Sequence, residues 1–447
     1  MENREKKKVA FFTLGCKTNQ YETNGMIQKF IESGYEICEL KDCPDIYIVN
    51  TCTVTNISDR KSRQALRKVK QQNQNAIVVA VGCYAQVAKD DLEKMEEIDI
   101  VLGNKEKKEI VKYIEQFLNE KNTKIVDIAD ISKQKDFDEY GFVTYSERTR
   151  TTIKIQDGCN NFCTYCLIPY ARGRIRSRKK DNILEETKKV ANSGIKEIVL
   201  TGIHIASYGK DFDDNYFLID LLEDLNKIEG IERIRLGSLE PTIIDEEFVQ
   251  RLKELNKVCK HFHLSLQSGC DETLKRMNRK YTTNEFGEVT KLLRANFENV
   301  NLTTDIIVGF PGETDEEFEK TYTFLKNINF YKMHIFKYSK RTGTPAATMP
   351  NQVDGNIQEK RSNKLLELSM ENQIRYNLSY VGKTVDVLFE EKNEDFWVGH
   401  TDNYMIVKVK TNENLENKIK SVQITDTNNE ELIGETIELK IRKERSV

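Results

Sequence analysis

Three cysteines stand within eight residues of one another near the middle of the chain. They are Cys159, Cys163 and Cys166, in the segment GCNNFCTYC, which directly follows the strand-like run TTIKIQD. Three thiolates so close together can hold a cubane iron–sulfur cluster and leave one iron open. That open iron can chelate the amino and carboxylate groups of S-adenosylmethionine, and reductive cleavage of the sulfonium yields a carbon radical that no side chain can supply. The spacing therefore predicts a radical-generating cluster.

Two other uses of these cysteines fit less well. A structural zinc site needs a fourth ligand, and no histidine follows Cys166 at the spacing of a zinc finger. A redox CxxC pair leaves the third cysteine without a role. The chain has five histidines, which are His204, His261, His263, His334 and His400.

Length and composition indicate a globular protein of more than one domain. The chain has 447 residues, which suggests two or three domains, and it is 38% hydrophobic and 32% charged. The sequence has no apolar run long enough to span a membrane, and the N-terminal MENREKKK does not resemble a signal peptide. We therefore expect a cytoplasmic protein without membrane association. In that compartment ten cysteines indicate metal binding or catalysis rather than disulfides.

A second set of cysteines ends three strand-like runs in the first domain, which we predict over residues 1–140. The runs are VAFFTLGC, DIYIVNTC and AIVVAVGC, and they end at Cys16, Cys52 and Cys83. Apolar strands that alternate with helices predict a parallel sheet covered on both faces. The carboxyl ends of such strands meet at one edge of the sheet, so these cysteines could converge on a second metal site. The alternative is three unrelated cysteines buried in turns.

Two further domains follow a polar linker at 120–147, which contains one short strand-like run, IVDI. Residues 148–375 contain six strand-like runs with helices between them, which predicts a partial (β/α)6 barrel with its chemistry at the carboxyl ends of the strands. Residues 377–447 contain alternating strand-length runs and polar turns, which predict a small antiparallel barrel. The predicted fold class is therefore α/β with a C-terminal β-barrel.

Basic residues cluster although the net charge is only −3. Residues 60–70 carry six lysines and arginines and no acid, and residues 148–180 carry nine against one acid. A solvated helix face is one interpretation, but two such runs beside cysteine motifs favour a partner that carries phosphates.

The terminal domain is acidic, with ten basic and fourteen acidic residues from Tyr376 onward. An RNA-binding barrel of this charge must gather its cations on one face. The candidates for that face are Lys408, Lys410, Lys440, Arg442 and Lys443. Phe396 and Trp397 could stack on a base, although Trp397 could equally belong to the core.

The segment GCNNFCTYCLIPYARGRIRSR resembles the core signature of radical S-adenosylmethionine methylthiotransferases. The segments TLGCKTNQYET, NTCTVTN and VGCYAQ resemble the N-terminal motifs of the same family, so the similarity covers essentially the whole chain. The resemblance implies an open six-stranded barrel, a C-terminal TRAM domain that binds RNA, and two [4Fe–4S] clusters. It makes Cys159, Cys163 and Cys166 the ligands of the radical-generating cluster. The ligands that it implies for the auxiliary cluster are Cys16, Cys52 and Cys83.

The resemblance also implies contacts to S-adenosylmethionine beyond the cluster ligands. Tyr165 stands where the family contacts the adenine of the cofactor. Four more positions match only by their place at the ends of barrel strands. They are Gly202, Glu240, Gln267 and Gly309. For Glu240 and Gln267, a hydrogen-bonded place in the barrel interior is the alternative.

The residues after the first cysteine favour one subgroup of the family. Residues 17–19 are Lys-Thr-Asn, where enzymes acting on isopentenyladenosine usually have Gln-Met-Asn. Residues 21–23 are Tyr-Glu-Thr, where the enzymes that modify a ribosomal-protein aspartate usually have Asp-Ser-Glu. The resemblance therefore favours methylthiolation of N6-threonylcarbamoyladenosine at C2, with the other two substrates as alternatives. It implies the anticodon loop of tRNA and a reducing electron-donor protein as partners, and we expect a monomer.

Overall fold

A parallel sheet of six strands forms the N-terminal part of the computed structural model, which describes residues 7–120, 123–143 and 149–437. Its elements are β1 Lys8–Thr13, α1 Lys17–Glu32, β2 Glu36–Ile37, β3 Ile46–Thr51, α2 Asn56–Gln72, β4 Ile77–Gly82, α3 Cys83–Val87, α4 Lys89–Glu93, β5 Ile100–Leu102, α5 Ile110–Asn119 and β6 Ile125–Asp127. The strand order is β2-β1-β3-β4-β5-β6. Every residue of β3 and β4 is buried, as expected for strands with helices on both faces.

An open half-barrel of parallel strands follows. Its elements are β7 Arg150–Lys154, β8 Gln156–Asp157, α6 Ile168–Arg172, β9 Arg176–Ser177, α7 Lys180–Asn192, β10 Glu197–Thr201, α8 Leu218–Asn226, β11 Arg233–Leu236, α9 Glu246–Lys253, β12 His261–Gln267, α10 Asp271–Arg276, α11 Thr283–Asn296, β13 Asn301–Val308, α12 Asp315–Ile328 and β14 Lys332–Lys337. Two isolated parallel bridges, Ile234 with Val258 and Leu239 with Leu264, join the sheets β11-β10-β7 and β12-β13-β14. All six predicted barrel strands are present.

Local sequence explains where the outer helices of the half-barrel begin. Thr282 precedes α11 and Thr314 precedes α12, and each hydroxyl accepts a hydrogen bond from the backbone N–H three residues later. The residue there is Glu285 in α11 and Glu317 in α12, and its carboxylate accepts from the backbone of the threonine. These reciprocal capping boxes satisfy backbone donors that a helix terminus otherwise leaves free.

A long helix leads from the half-barrel to a small closed barrel. The elements are α13 Gly355–Leu378, β15 Thr384–Asn393, β16 Phe396–Thr401, β17 Ile406–Lys410, β18 Ile419–Thr427 and β19 Leu432–Thr436. The barrel closes in the order β15-β16-β17-β19-β18, so the predicted fold class is confirmed. The stacking role considered for Trp397 is wrong, because its side chain is buried in the core of this barrel.

Two of the five residues predicted for the cationic face of the terminal barrel lie among the described residues. Lys408 pairs with Glu431 at 2.7 Å, and Lys410 pairs with Asp395 at 2.9 Å. The other three candidates, Lys440, Arg442 and Lys443, lie outside the described residues. Both described lysines thus have carboxylate partners within the barrel itself.

The terminal barrel docks against the amino ends of the half-barrel strands. Arg233 Nη1 donates to the carbonyl of His400 at 2.8 Å, and Arg235 Nη1 donates to the carbonyl of Asp402 at 2.9 Å. Asn301 Nδ2 donates to the carbonyl of Asn403 at 2.9 Å. One loop of the terminal barrel, residues 400–405, therefore closes the bottom of the half-barrel.

The segment predicted as a polar linker is largely packed onto the domains it connects. It contributes β6 to the edge of the first sheet, and the Tyr140 side chain is buried against Gly25 of α1. Glu139 accepts hydrogen bonds from Arg178 of the half-barrel. Polar composition misled the prediction here, since these polar groups find partners across the domain junction. In the described parts of the chain, no helix is both long and apolar enough to cross a bilayer.

Candidate active site

The first cysteine triad lies on the loop between β8 and α6, past the carboxyl end of β7. The backbone N–H of Asn161 lies 3.5 Å from Cys159 Sγ, and that of Ile168 lies 3.4 Å from Cys166 Sγ. Arg279 Nη1 lies 3.3 Å from Cys163 Sγ. Donors aimed at sulfur stabilise thiolates and tune an iron–sulfur cluster. Burial raises the pKa of Cys159 to about 11 and that of Cys166 to about 12, so metal binding must displace protons here.

A cavity of about 330 Å³ opens beside this triad at the carboxyl ends of the half-barrel strands. Three predicted cofactor residues, Tyr165, Glu240 and Gln267, line it together with the three cysteines. Gln267 ends β12 at a register shift with φ of +73°, an unusual backbone conformation for a side-chain-bearing residue. Such conformations concentrate at functional sites.

The two predicted glycines lie outside the lining of this cavity. Gly202 directly precedes Ile203 and His204, which do line it. Gly309 follows β13, where a Cβ atom would lie 2.3 Å from Cγ of Gln358 on α13. Gly202 thus lies next to two residues that line the cavity, whereas Gly309 packs against helix α13.

Glu240 is the centre of a polar cluster on the cavity wall. Its carboxylate lies 2.8 Å from His204 Nε2, 3.0 Å from Arg279 Nη2 and 3.2 Å from Asn161 Nδ2. Burial alone would raise the pKa of Glu240, but the His204 hydrogen bond and the Arg279 charge lower the pKa to about 2. The group is therefore anionic near neutral pH, which suits a cationic ligand. Glu240 is thus hydrogen-bonded in the barrel and also lines the cavity, and its contact with the cofactor stays a prediction.

Sequence reasoning missed the partners of Glu240. His204 follows the end of β10, directly after the TGI segment. A histidine at the carboxyl end of a barrel strand could have been predicted as a site residue. Arg279 follows the short helix α10, and nothing in its sequence neighbourhood marks it. Asn161 stands inside the cysteine loop, where it was overlooked beside the ligands.

The second triad occupies the ends of three adjacent strands, β1, β3 and β4. Cys16 is the N-cap of α1, Cys83 is the first residue of α3, and Cys52 directly follows β3. Gly15 has φ of +100°, and a Cβ atom there would lie 2.8 Å from Cys52 Sγ. Burial raises the pKa of Cys52 to about 11, and its neighbours Cys83 and Cys16 act in the same direction. The sheet thus brings together three cysteines that are far apart in sequence.

The spacing of the sulfurs suits clusters better than single ions. Among the described residues, the one group of three or more potential ligands whose ligand atoms all lie within 4.8 Å of one another is His263, Asp305 and His334. Neither cysteine triad is packed that tightly. A cubane binds its thiolates at separate corners, so its ligands stand further apart than those of one zinc ion. The cysteine-only donor sets therefore fit iron–sulfur clusters.

A buried ionic network lies between the two triads. Arg172 Nε lies 3.1 Å from Cys83 Sγ, and Arg172 Nη1 donates to Glu22 at 2.7 Å. Lys154 Nζ pairs with Glu22 at 2.7 Å and with Asp157 at 2.6 Å. These charges lie 4% or less exposed and join the first domain to the half-barrel. Their cations lower the pKa of Glu22 well below its usual value, against the effect of burial.

This network corrects the interpretation of the basic run at 148–180. Four of its nine cations are buried and paired with carboxylates, so they cannot reach a nucleic acid. They are Lys154, Arg172, Arg176 and Arg178. Arg174, Lys179 and Lys180 remain exposed. The phosphate-binding role assigned to the run as a whole is therefore wrong for its buried half.

The basic run at 60–70 forms the exposed side of α2. Arg63 hydrogen-bonds to Tyr84, and Lys70 pairs with Asp99 at 2.9 Å. The other four cations are exposed; Arg67 pairs with Glu97 at 3.5 Å, and the remaining three form no ion pair within the described residues. They are Arg60, Lys61 and Lys68.

The loop after Cys52 reaches the cavity of the first triad. Val54 and Thr55 line this cavity from the side of the first domain. Arg341, just beyond β14, holds the loop in place by pairing with Asp59 at 2.6 Å and donating to Thr53 at 2.7 Å. The loop that begins beside Cys52 thus forms part of the wall of the cavity that the first triad lines.

Three protein-family models match successive parts of the chain. The UPF0004 family, described only as uncharacterised, matches residues 8–103, the radical SAM superfamily matches 153–325, and the TRAM domain matches 378–437. The threonylcarbamoyladenosine tRNA methylthiotransferase MtaB of Bacillus subtilis is 42% identical over 93% of this chain and 93% of its own length. The chain belongs to the radical SAM tRNA methylthiotransferase family.

Relatives within this family differ in the nucleoside that their names state. The MtaB protein of Aquifex aeolicus is also 42% identical, over 90% of this chain and 96% of its own length. A tRNA-2-methylthio-N(6)-dimethylallyladenosine synthase of Clostridium novyi is 36% identical over 98% of both chains. Membership of the family implies [4Fe–4S] clusters and S-adenosylmethionine as cofactors, in agreement with the cysteine-only donor sets.

The solved structures support the fold. The radical S-adenosylmethionine methyltransferase TsrM from Kitasatospora setae, determined with cobalamin and a [4Fe–4S] cluster, superposes with a TM-score of 0.57 at 15% identity. The match covers 77% of this chain and 74% of that protein. At this identity the likeness extends to architecture alone.

Proposed function

We propose that this family member adds a methylthio group to C2 of N6-threonylcarbamoyladenosine beside the anticodon of tRNA. The observation that carries the proposal is the common cleft, in which Val54 and Thr55 of the first domain face the Cys159 loop across one cavity. The names of the 42% identical relatives support the nucleoside. We further propose that the enzyme acts as a monomer in the cytoplasm and receives electrons from a reducing protein.

In this proposal the three domains divide the work. Residues 1–140 hold the auxiliary cluster on Cys16, Cys52 and Cys83, residues 148–375 hold the second cluster on the Cys159 loop, and residues 377–447 bind RNA. When bound, the clusters would supply the electron that splits one S-adenosylmethionine into methionine and a 5′-deoxyadenosyl radical, and the sulfur that is transferred, while a second S-adenosylmethionine would donate the methyl group to that sulfur.

The half-barrel residues bind and orient the cofactor. The anionic Glu240 offsets the positive charge of a sulfonium or ammonium group in the cavity. Arg279 connects Glu240 to Cys163, so the carboxylate and the cysteine loop are held in one arrangement. We assign adenine contacts to Tyr165 and further cofactor contacts to Gln267, and we retain Gly202 and Gly309 as weaker candidates.

The proposed reaction requires little general acid–base catalysis by the protein. A C–H bond at C2 of adenine offers no acidic proton, so a general base could not activate it. The protein must instead hold the base in the cleft and exclude water from a reactive radical. A base in the single-stranded anticodon loop can be splayed out to enter such a cleft.

The exposed cations of α2 are the proposed contacts to the tRNA backbone. Changing Arg60, Lys61 and Lys68 together to glutamate should weaken tRNA binding and reduce its salt dependence, since each phosphate contact adds to the salt slope. Titrations of tRNA at several salt concentrations measure both effects. An unchanged affinity would remove α2 from the RNA interface.

Nucleoside analysis of cellular tRNA tests the proposed reaction. In cells that lack the gene, digestion of tRNA and mass spectrometry should show threonylcarbamoyladenosine without its methylthio derivative, and the intact gene should restore the derivative. Loss of methylthio-isopentenyladenosine instead would assign the other nucleoside. Unchanged tRNA nucleosides would rule out tRNA as the substrate and favour a protein side chain.

A further inference from the structure

A second cavity of about 510 Å³ lies deeper in the half-barrel. Its lining shares Ser238, Asp305 and Phe336 with the cavity of the first triad, so the two spaces are neighbours with a common wall. Four of the five histidines of the chain line it, which are His261, His263, His334 and His400. A pocket of this size and polarity at a junction of domains is typical of a ligand site.

All three domains contribute to the walls of this deeper cavity. Lys17 comes from the first domain, directly after the predicted cluster ligand Cys16. His263 and Asp305 come from barrel strands, and Tyr404 comes from the terminal barrel. A ligand bound here would therefore contact residues of all three domains.

Lys17 is a cation without a protein partner in this cavity. The residue is exposed, and no ion pair or hydrogen bond of its side chain is found among the described residues; the same holds for Lys332, the other lysine of the lining. Arg235 donates to Glu197 at 2.7 Å, and Asp305, the carboxylate of the lining, lies 3.2 Å from His263 Nε2. Glu197, the carboxylate near Lys17, is thus already paired with Arg235.

Three cations act on Tyr404, and two of them are paired with carboxylates, Arg235 with Glu197 and Arg150 with Glu390. The guanidinium of Arg235 lies 4.6 Å from the ring centre, and that of Arg150 lies 5.4 Å from it. Burial alone would raise the pKa of Tyr404, but Arg150, Lys17 and Arg235 outweigh it and lower the pKa. A site with such a field favours an anionic ligand.

One buried polar atom on the wall also lacks a partner. His261 is 6% exposed, its Nε2 lies 2.9 Å from Thr303 Oγ1, and its Nδ1 has no hydrogen-bond partner. Buried polar groups are nearly always hydrogen-bonded, so this nitrogen is an exception in the wall of the cavity.

We infer that the deeper cavity receives the N6 substituent of the target adenosine, and that Lys17 binds the carboxylate of that substituent. The inference rests on the proposed function. In adenine, N6 is attached to C6, which is separated from C2 by N1, so a base whose C2 faces the cleft directs its N6 substituent away from it. A threonylcarbamoyl group ends in a carboxylate, whereas an isopentenyl group is apolar. Lys17 is thereby a specificity-determining residue.

Binding of modified anticodon stem-loops to the reconstituted holoenzyme without reductant tests this inference. The RNAs carry threonylcarbamoyladenosine or its carboxamide analogue, in which an uncharged amide of similar size replaces the carboxylate. Wild-type protein should bind the carboxylate about 10- to 100-fold more tightly, the range of a charge-assisted hydrogen bond. Lys17→Met should bind both RNAs equally, at the weaker level, and Lys17→Arg should keep part of the preference.

Two further variants test whether the effect is specific to Lys17. Lys41→Met removes an exposed cation of the same domain, paired with Glu39, and should bind like wild type. Lys332→Met removes the other lysine that lines the deeper cavity and should keep the preference for the carboxylate. Iron content equal to that of wild type shows that Lys17→Met retains both clusters.

The outcomes separate the inference from the proposed function. If Lys17→Met keeps the preference, or if Lys332→Met loses it, the assignment of Lys17 is overturned. If wild-type enzyme supplied with reductant fails to methylthiolate the threonylcarbamoyl stem-loop, the proposed function fails instead. Equal binding of both RNAs by wild type would overturn the anionic subsite itself.

Discussion

The two cysteine triads, one in the half-barrel and one in the first domain, are built in different ways. Cys159, Cys163 and Cys166 belong to one loop, so a short stretch of sequence contains the whole site. Cys16, Cys52 and Cys83 come from the ends of three strands and meet only when the parallel sheet forms. The first site is thus a local property of the chain, and the second is a property of the fold.

The surroundings of the two triads also differ, because one triad is contacted from within its own domain and the other from the neighbouring domain. Cys163 is contacted by Arg279, which belongs to the same half-barrel and borders the open cavity. Cys83 is contacted by Arg172, which crosses from the half-barrel into the first domain. The second site therefore depends on domain docking as well as on its own sheet, and the two sites should respond differently to substitution.

Removing a ligand of the loop site should have the largest effect. Cys163→Ala should abolish the formation of 5′-deoxyadenosine, and methylthiolation with it, because the radical step precedes sulfur transfer. Anaerobic assays with chromatographic detection of 5′-deoxyadenosine measure the loss. Cys43→Ala, at an exposed cysteine outside both triads, is the matched control and should behave as wild type.

Removing a ligand of the strand-end site should separate the two activities. Cys52→Ala should keep cleavage of S-adenosylmethionine and lose methylthiolation of tRNA, because only the auxiliary cluster loses a ligand. The same two assays run side by side measure the split. Loss of cleavage in this variant as well would mean that the sites do not have divided roles.

Breaking the network between the sites should destabilise the protein. Arg172→Met leaves Glu22 and Asp157 with less compensation in a buried setting, a change that typically costs about 3–5 kcal/mol. The thermal unfolding midpoint should fall, and iron bound at the strand-end site should fall with it. Lys179→Met removes an exposed cation nearby and should leave the midpoint unchanged. Equal midpoints for the two variants would show that the network does not hold the domains together.

A smaller effect should appear in the pH dependence of stability. The pKa of Glu240 is about 2 in the folded protein against an ordinary value of 4.5, so its stabilisation is present above pH 4.5 and is lost as the pH falls toward 2. The contribution is at most about 3 kcal/mol, since one pKa unit corresponds to about 1.4 kcal/mol. In metal-free protein, the urea midpoint of wild type should fall more steeply over this range than that of Glu240→Gln. Parallel curves would contradict the pairing of Glu240 with His204 and Arg279.

The difference between the sites also explains what the sequence could predict. The loop triad is readable from spacing, and the second triad from three apolar runs that end in cysteine. The buried cations were mistaken for an RNA-binding surface, because their sequence gives no sign of Glu22, which lies 150 positions from Arg172. Arg279 was missed for the same reason, since its partners Glu240 and Cys163 meet it only in the folded barrel. Long-range pairing of charges therefore sets the limit of the sequence prediction.

Iron and sulfide counting after anaerobic reconstitution tests the central claim most directly. Wild-type protein should hold about eight irons and eight sulfides per chain, and Cys52→Ala and Cys163→Ala should each hold about four, as expected for two separate four-iron clusters. About four irons in wild type, or the same loss of all iron in both variants, would contradict the presence of two independent clusters.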